Sequence, residues 1–475
     1  MITIIIFIYL KQILSDKLIS VFSLDRHGVR SPASLYPNNT DFFGNLWESP
    51  GILTGNGERM FYILGMYKRY KYMNEINLID EKCKQQEILF GSSNMERTIM
   101  SALSEIQGLC PSNKSNGKNI DLNYTNYTYP PIQFFENMKT EIDNLNTINS
   151  SFPNSLVLLP INIYHSSERK IMVTLYGCDS TQDIIKSNLN NPNILNIVKE
   201  FNNKYYEKLK GILKEEEKND FQTLFGITDQ YISSLYDGKN PEKKLLEIGI
   251  NPEEFLNISN KFHEVFMNDY LFGDKNQDII FVDSSLLIRD AVNYMKKRVD
   301  ADINNEDTST KLNDYSRPKL VVVAGHDSSI VAFQFLIKII FNLTDVQILD
   351  ISYGENIVFE VYKNNETKDK YNYSDYYVNY LINDVIIKTF KFDNFVNVIE
   401  TKTWDNEKVN KFCNPSNNDN VNLSSSMKIV VIILIIIIFL LLIIVFLLVL
   451  KNIHDKKLSG LIEDANSIGL AEMQK

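Results

Sequence analysis

The chain has 475 residues, of which 44% are hydrophobic, 11% aromatic and 23% charged, a balance that excludes wholesale disorder, collagen-like repeats and coiled coil. Its net charge of −10 gives no basic field, which argues against nucleic acid as a partner. With two apolar ends set aside, roughly 410 residues remain as a body, long enough for two domains.

In chain order, Ile2 to Leu10 are apolar or nearly so. They are too few to span a bilayer and read as the core of a signal peptide over residues 1–18, cut near Ser15 or Ser20. Ile19 to Leu24 is a short apolar run that opens into a turn with Gly28 and Pro32, a strand followed by a loop. Glu87 to Gly91 is a second such run. Ser93 and Glu96 then have capping-box spacing and start a helix with Ile99, Leu103 and Ile106 on one side.

Between residues 111 and 278 the character changes to Asn-rich loops and amphipathic helices. Ile194, Val198, Phe201, Tyr205, Leu209 and Ile212 fall at helical spacing. Asn251-Pro252-Glu253-Glu254 is a helix start, with Phe255, Ile258, Phe262 and Phe266 as its buried face. Lys319 to Ala324 is a third apolar run, followed through Gly325 by a hydrophobic helix from about Ser329 to Phe341. Asn356–Tyr362, Tyr376–Leu381 and Val385–Lys388 read as antiparallel strands, the last two joined by Asn383-Asp384. Strand, turn and helix thus recur three times, and continuous Val/Ile/Leu runs suit strands buried on both faces. The expected fold is α/β: a doubly wound, mainly parallel sheet core from residues 19–110 and 279–415, with a mostly helical cap inserted at 111–278.

After a stalk at 416–428, Ile429 to Leu450 form 22 residues without a polar side chain, enough to cross a ~30 Å hydrocarbon core as a helix. Lys428 stands alone before this span, whereas Lys451, Lys456 and Lys457 follow it. The positive-inside rule therefore makes 451–475 a cytoplasmic tail and the body lumenal or extracellular. Four cysteines, Cys83, Cys110, Cys178 and Cys413, precede the span and permit two disulfides in three connectivities. Ten N-x-S/T sequons, at Asn38, Asn113, Asn123, Asn126, Asn149, Asn257, Asn342, Asn365, Asn372 and Asn422, also lie in the body.

The chemistry concentrates at the ends of the three runs. Arg26-His27-Gly28-Val29-Arg30-Ser31-Pro32 follows the first, Arg97 lies past the second, and His326-Asp327 ends the third. Ligands of open α/β sheets bind at the carboxyl ends of the strands, so parallel neighbours would bring all three segments to one crevice. Arginine forks match phosphate oxygens, and a helix N-terminus near Arg97 adds positive potential. A phosphate ester there would face His27 as nucleophile and Asp327 as an acid. Five histidines, without H-x-x-x-H or C-x-x-C spacing, point to no metal site; His165, His263 and His454 read as packing or surface residues.

At these residues the sequence resembles the histidine acid phosphatases, close to the lysosomal and prostatic branch. The signature R-H-G-x-R-x-P is complete from Arg26 to Pro32, and the late His-Asp pair is His326-Asp327. Similarity covers most of Ile19 to Cys413, weakest from Asn191 to Asp278. The resemblance implies a membrane-anchored, metal-independent phosphomonoesterase with no cofactor. In it His27 forms a phosphohistidine, Asp327 protonates the leaving alcohol, and Arg26, Arg30, Arg97 and His326 bind the phosphoryl group. It implies that Gly28 lets backbone approach the phosphate and Pro32 stiffens the loop, and that Cys178 pairs with Cys413, leaving Cys83 with Cys110. Small phosphomonoesters are the implied substrates, and a homodimer stays open. The tail has no tyrosine, so a tyrosine sorting signal is missing, and both a lysosome-like compartment and the cell surface fit. Two alternatives share the motifs: an inositol-phosphate phosphatase, which would need extra Lys or Arg in the cap, and an inactive cell-surface binding protein.

Overall fold

The computed structural model describes residues 16–110, 159–168, 170, 178–210, 220–272, 277–305, 318–344, 352–364 and 370–414. The expected signal core, the span at 429–450 and the tail lie outside them. Among the described residues no helix is long and apolar enough to cross a membrane. The described residues up to Cys413 form one compact unit.

A seven-stranded sheet organises it, in the order β3-β2-β4-β1-β5-β6-β7. The strands are β1 (Lys17–Arg26), β2 (Ile88–Ser93), β3 (Ile161–Tyr164), β4 (Leu320–Gly325), β5 (Asn356–Lys363), β6 (Tyr376–Ile382) and β7 (Val385–Lys391). All three expected apolar runs are strands, and β2-β4-β1 are parallel neighbours. The sheet is mixed, however, and not mainly parallel. Against the parallel pairs β1–β4, β2–β4 and β2–β3 stand the antiparallel pairs β1–β5, β5–β6 and β6–β7. β5, β6 and β7 add in turn to the edge of β1, and the two-residue link from β6 to β7 allows only an antiparallel pair. Asn383 and Asp384 take φ of 48° and 66°, the left-handed pair that a two-residue hairpin turn needs.

Two boundaries move. β3 pairs with β2 from inside the segment assigned to the helical cap. Its four residues carry only an intermediate-to-exposed pattern before Tyr164, so they lack a buried strand's apolar run. β1 begins at Lys17, paired with Lys363, two residues inside the presumed leader, and a cut near Ser20 would remove the start of the strand.

Eleven described helices follow: α1 (Gly55–Arg69), α2 (Glu96–Leu109), α3 (Asp179–Asn188), α4 (Pro192–Leu209), α5 (Phe221–Tyr236), α6 (Pro241–Glu247), α7 (Pro252–Val265), α8 (Gln277–Ile303), α9 (Asp327–Phe341), α10 (Phe392–Lys402) and α11 (Asn406–Cys413). Alternation along the strands sorts them into two layers, because successive side chains of a strand point to opposite faces. Val321 and Val323 pack with Ile288 of α8 and Phe333 of α9, whereas Leu320 and Val322 pack with Ala102 and Ile106 of α2. Helices on both faces are the doubly wound feature that the sequence led us to expect.

The cap has a core of its own. Ile194, Phe201, Tyr205 and Leu209 of α4 meet Phe255, Ile258 and Phe262 of α7. Phe42 and Phe43, from the segment after β1, complete it. Asn251 caps α7 by accepting from the amides of Glu253 and Glu254, with Pro252 at N1, as its sequence indicates. The disulfides pair Cys83 with Cys110 and Cys178 with Cys413, the pairing that the resemblance implied.

Candidate active site

The carboxyl ends of β1, β2 and β4 bring the expected residues together. Arg26 ends β1, His27 follows it, and His326 is the N-cap residue of α9, which begins at Asp327. Arg97 is the second residue of α2. The rings of His27 and His326 lie 5.5 Å apart between centroids, and Arg97 spans both. Its Nε donates to His27 Nε2 at 3.1 Å, and its Nη2 lies 3.4 Å from His326 Nδ1.

These contacts assign the tautomers, because arginine only donates. His27 Nδ1, 2.8 Å from the Gly28 carbonyl, carries the proton and leaves Nε2 with its lone pair. His326 accepts from Arg97 at Nδ1 and donates through Nε2 to Ser93 Oγ at 2.8 Å. Both rings are 2% exposed. Burial and then Arg97, His326, Arg26 and Arg30 push the His27 imidazole well below its ordinary value. Burial followed by Arg97 pushes His326 down to about 3. Burial and the neighbouring arginines thus favour the neutral form of both rings.

The arginines are held separately. Arg26 Nη2 donates to Asp327 Oδ2 at 2.9 Å, and its guanidinium carbon sits 4.2 Å from the ring centre of Tyr353. Arg30 forms a two-pronged pair with Asp229 of α5, at 2.7 and 3.2 Å. Burial is the largest single influence and opposes the Arg30 charge, but Asp229, Tyr353 and Asp327 together outweigh it and raise the pKa. Among the described residues, Arg97 has no carboxylate in such contact. Burial and then Arg30 lower its pKa to about 10, which leaves it charged at acidic and neutral pH. For Asp327, burial alone would raise the pKa. Arg26 overrides it, joined by His263, His27 and Arg30, and holds the carboxyl far below the usual range.

Three readings of the sequence need correction. The capping box does not form: α2 starts at Glu96 without a side-chain cap. Ser93 remains in β2, with its hydroxyl against His326 and Thr98, while the Glu96 carboxylate accepts from the Leu53 amide. Gly28 answers to packing, because a Cβ there would lie 2.6 Å from the Gly57 carbonyl oxygen at the start of α1. His263 lines the pocket with the three arginines and Asp327. It is on α7, and sequence alone could not bring that helix to β4.

Further site residues carried no sequence signal. Asp229 and Tyr353 sit outside any motif, yet one anchors Arg30 and the other covers Arg26 and His27. Beneath the signature, Lys68 of α1 lies 2.6 Å from both Asp25 and Glu105, a buried cluster that ties β1 to α1 and α2. Asp25, unexplained by sequence, belongs to this support.

With the geometry in place, comparison with known proteins is specific about family. The profile of the histidine phosphatase superfamily (branch 2) matches residues 17–383. The chain belongs to this superfamily. Bovine prostatic acid phosphatase is 35% identical over 86 residues, 18% of this chain and 21% of that protein. Human prostatic acid phosphatase is 31% identical over 101 residues, 21% of this chain and 25% of that protein. The chain thus matches about a quarter or less of the length of these two relatives. Among solved structures, a phytase from Klebsiella sp. ASR1 overlays with a TM-score of 0.45 at 11% identity, covering 83% of this chain and 88% of the phytase.

Proposed function

We propose that this superfamily member hydrolyses phosphate monoesters at acidic pH through a covalent phosphohistidine at His27. The observation that carries the reading is His27 Nε2, a lone pair on a buried neutral ring beside three arginines, with Nδ1–H pinned to the Gly28 carbonyl. As Nε2 bonds to phosphorus, the bond from phosphorus to the ester oxygen breaks, and Asp327 gives its proton to the departing alcohol. Water then attacks phosphorus and gives a proton back to the Asp327 carboxylate, while the N–P bond breaks, its electron pair returns to His27 Nε2 and phosphate leaves. Arg26, Arg30 and Arg97 stabilise the phosphoryl oxygens in the transition state. His326 joins them once Arg97 turns onto the phosphate and Nδ1 takes a proton. The chemistry asks nothing of a metal ion.

The body is placed outside the cytoplasm and anchored by residues 429–450, in a lysosome-like compartment or at the cell surface. The apolar run and lysine asymmetry support this. So do two disulfides and the exposure of every described sequon asparagine, namely Asn38, Asn257, Asn342 and Asn372.

Alkaline quenching during turnover should trap a base-stable, acid-labile phosphoenzyme, and His27→Ala should abolish both it and activity, with chelators leaving the wild-type rate unchanged. Chelator-sensitive turnover that survives in His27→Ala would overturn the reading.

A further inference from the structure

The pocket over the arginines has a volume of ≈ 290 Å³ and two unlike ends. Its floor is the charged cluster of Arg26, Arg30, Arg97 and Asp327. Its wall comes from the cap: Phe225 and Ile232 on α5, Phe262 on α7, and Phe266, Met267 and Leu271 at and beyond the end of α7. Phe225 stacks on Phe266 with ring centres 4.9 Å apart, so the wall is continuous. Tyr353 joins the two ends, its ring 5.8 Å from that of His27 and 5.3 Å from that of Tyr236. Tyr236 is 41% exposed, at the rim.

Charge limits what this pocket accepts. Among the described lining residues, three arginines face two aspartates, Asp229 and Asp327, which already hold Arg30 and Arg26. The surplus is one positive charge, and one phosphoryl dianion already exceeds it. A second phosphate on the same substrate would lie against Phe and Leu, where an unpaired charge is strongly disfavoured. Beyond the arginines, His263 is the one described lining side chain able to carry a positive charge; Thr228, Ser259 and Asn260 offer only neutral donors. Each methylene laid on that wall, in contrast, is worth about three- to fourfold in affinity.

Building on the phosphatase reading, we infer that this site selects phosphomonoesters of apolar alcohols over polyphosphorylated polar ones. The alcohol is a single alkyl or aryl group of about six to eight carbons, taking a methylene as close to one water volume. The phosphoryl group sits on the arginines, and the carbon chain runs past Tyr353 along Phe225 and Phe266.

A series of n-alkyl phosphates, from propyl to decyl, tests this on the full chain. Alcohol basicity is nearly constant along it, so chain length reads the wall and not the chemistry. Wild-type kcat/KM should rise about two- to fourfold per added methylene and level off near eight carbons, with inositol hexakisphosphate below hexyl phosphate. Phe266→Asn and Ile232→Asn should each flatten the rise. Should those variants fail to fold, alkylphosphonates as inhibitors of the wild type give the same reading, and hexylphosphonate should bind at least tenfold more tightly than methylphosphonate. A flat series and equal phosphonate affinities, or preference for the hexakisphosphate, in a preparation that turns over propyl phosphate would overturn the inference. Failure to hydrolyse any ester would instead remove the phosphatase reading beneath it.

Discussion

On the proposed mechanism Asp327 has to hold a proton when the ester oxygen departs, yet Arg26 at 2.9 Å keeps it ionised. The substrate resolves the conflict. A dianionic phosphoryl group on Arg26, Arg30 and Arg97 offsets the charges that hold the carboxyl down, and burial, which acts the other way, then raises it toward the acidic working range. Help from this proton matters in proportion to the basicity of the leaving oxygen. Asp327→Asn should therefore lose about 10²–10⁴-fold on glycerol phosphate and much less on p-nitrophenyl phosphate, where chemistry limits both rates. His326→Ala, which on this proposal removes a phosphoryl-binding group, should slow both esters by similar factors. Wild-type rate on alkyl esters should fall as pH rises above the mildly acidic range, because Asp327 then enters the cycle deprotonated. Equal losses on the two esters in Asp327→Asn would make the aspartate an electrostatic partner of Arg26 and nothing more.

Helix α1 serves the site through two glycines with different duties. A Cβ at Gly57 would lie 2.2 Å from the Val29 carbonyl, against the signature loop, whereas one at Gly65 would lie 2.1 Å from the Glu105 carbonyl, against α2. Overpacking at either costs about 1–3 kcal/mol, but only the first displaces His27. Gly57→Ala should thus drop kcat/KM on the order of 10²-fold, the effect of a misplacement near 1 Å. Gly65→Ala should lower Tm while the folded enzyme keeps its rate. Matching profiles of activity and melting for the two variants would show that the loop is not seated on α1. The same elements show what a single sequence can disclose. β1, β2, β4 and the α7 cap were legible because apolar runs and an Asn-Pro-Glu-Glu start are local signals. The convergence of the signature, Arg97 and His326-Asp327 followed from strand ends alone. Ser93 was misread because its hydroxyl has a tertiary partner, His326, that outcompetes the local cap. Asp229, Tyr353 and His263 stayed hidden because each acts across elements far apart in the chain.

At the level of the whole molecule, two buried carboxyl groups couple folding to acidity. Burial is the leading cause that raises Glu105 to about 8, with Lys68 opposing and Asp25 adding to it, and burial alone raises Asp283 to about 8. Neither oxygen of Asp283 meets a partner among the described residues. A carboxyl whose folded-state pKa is raised binds its proton more tightly in the native chain than in the unfolded one. Its contribution is then complete below the unfolded value near 4 and is lost as pH climbs toward 8, at about 1.4 kcal/mol per pH unit for each group. Asp327 works in the opposite sense. Its pKa is depressed, so the stability that it adds is present above pH 4 and disappears only in stronger acid. Together these place the stability maximum in the mildly acidic range, where an acid phosphatase would work. Between pH 5 and 7.5 the wild-type Tm should fall by on the order of 5 °C. Asp283→Asn keeps the size of the side chain and cannot ionise, so it should remove part of that fall, and Glu105→Gln should remove another part. Since the two sites lie on different helices, α8 and α2, the double variant should show nearly the sum of the two effects. A Tm-versus-pH slope identical in wild type and double variant would mean that both carboxyls are already ionised in the folded protein at pH 5, as they are in the unfolded chain.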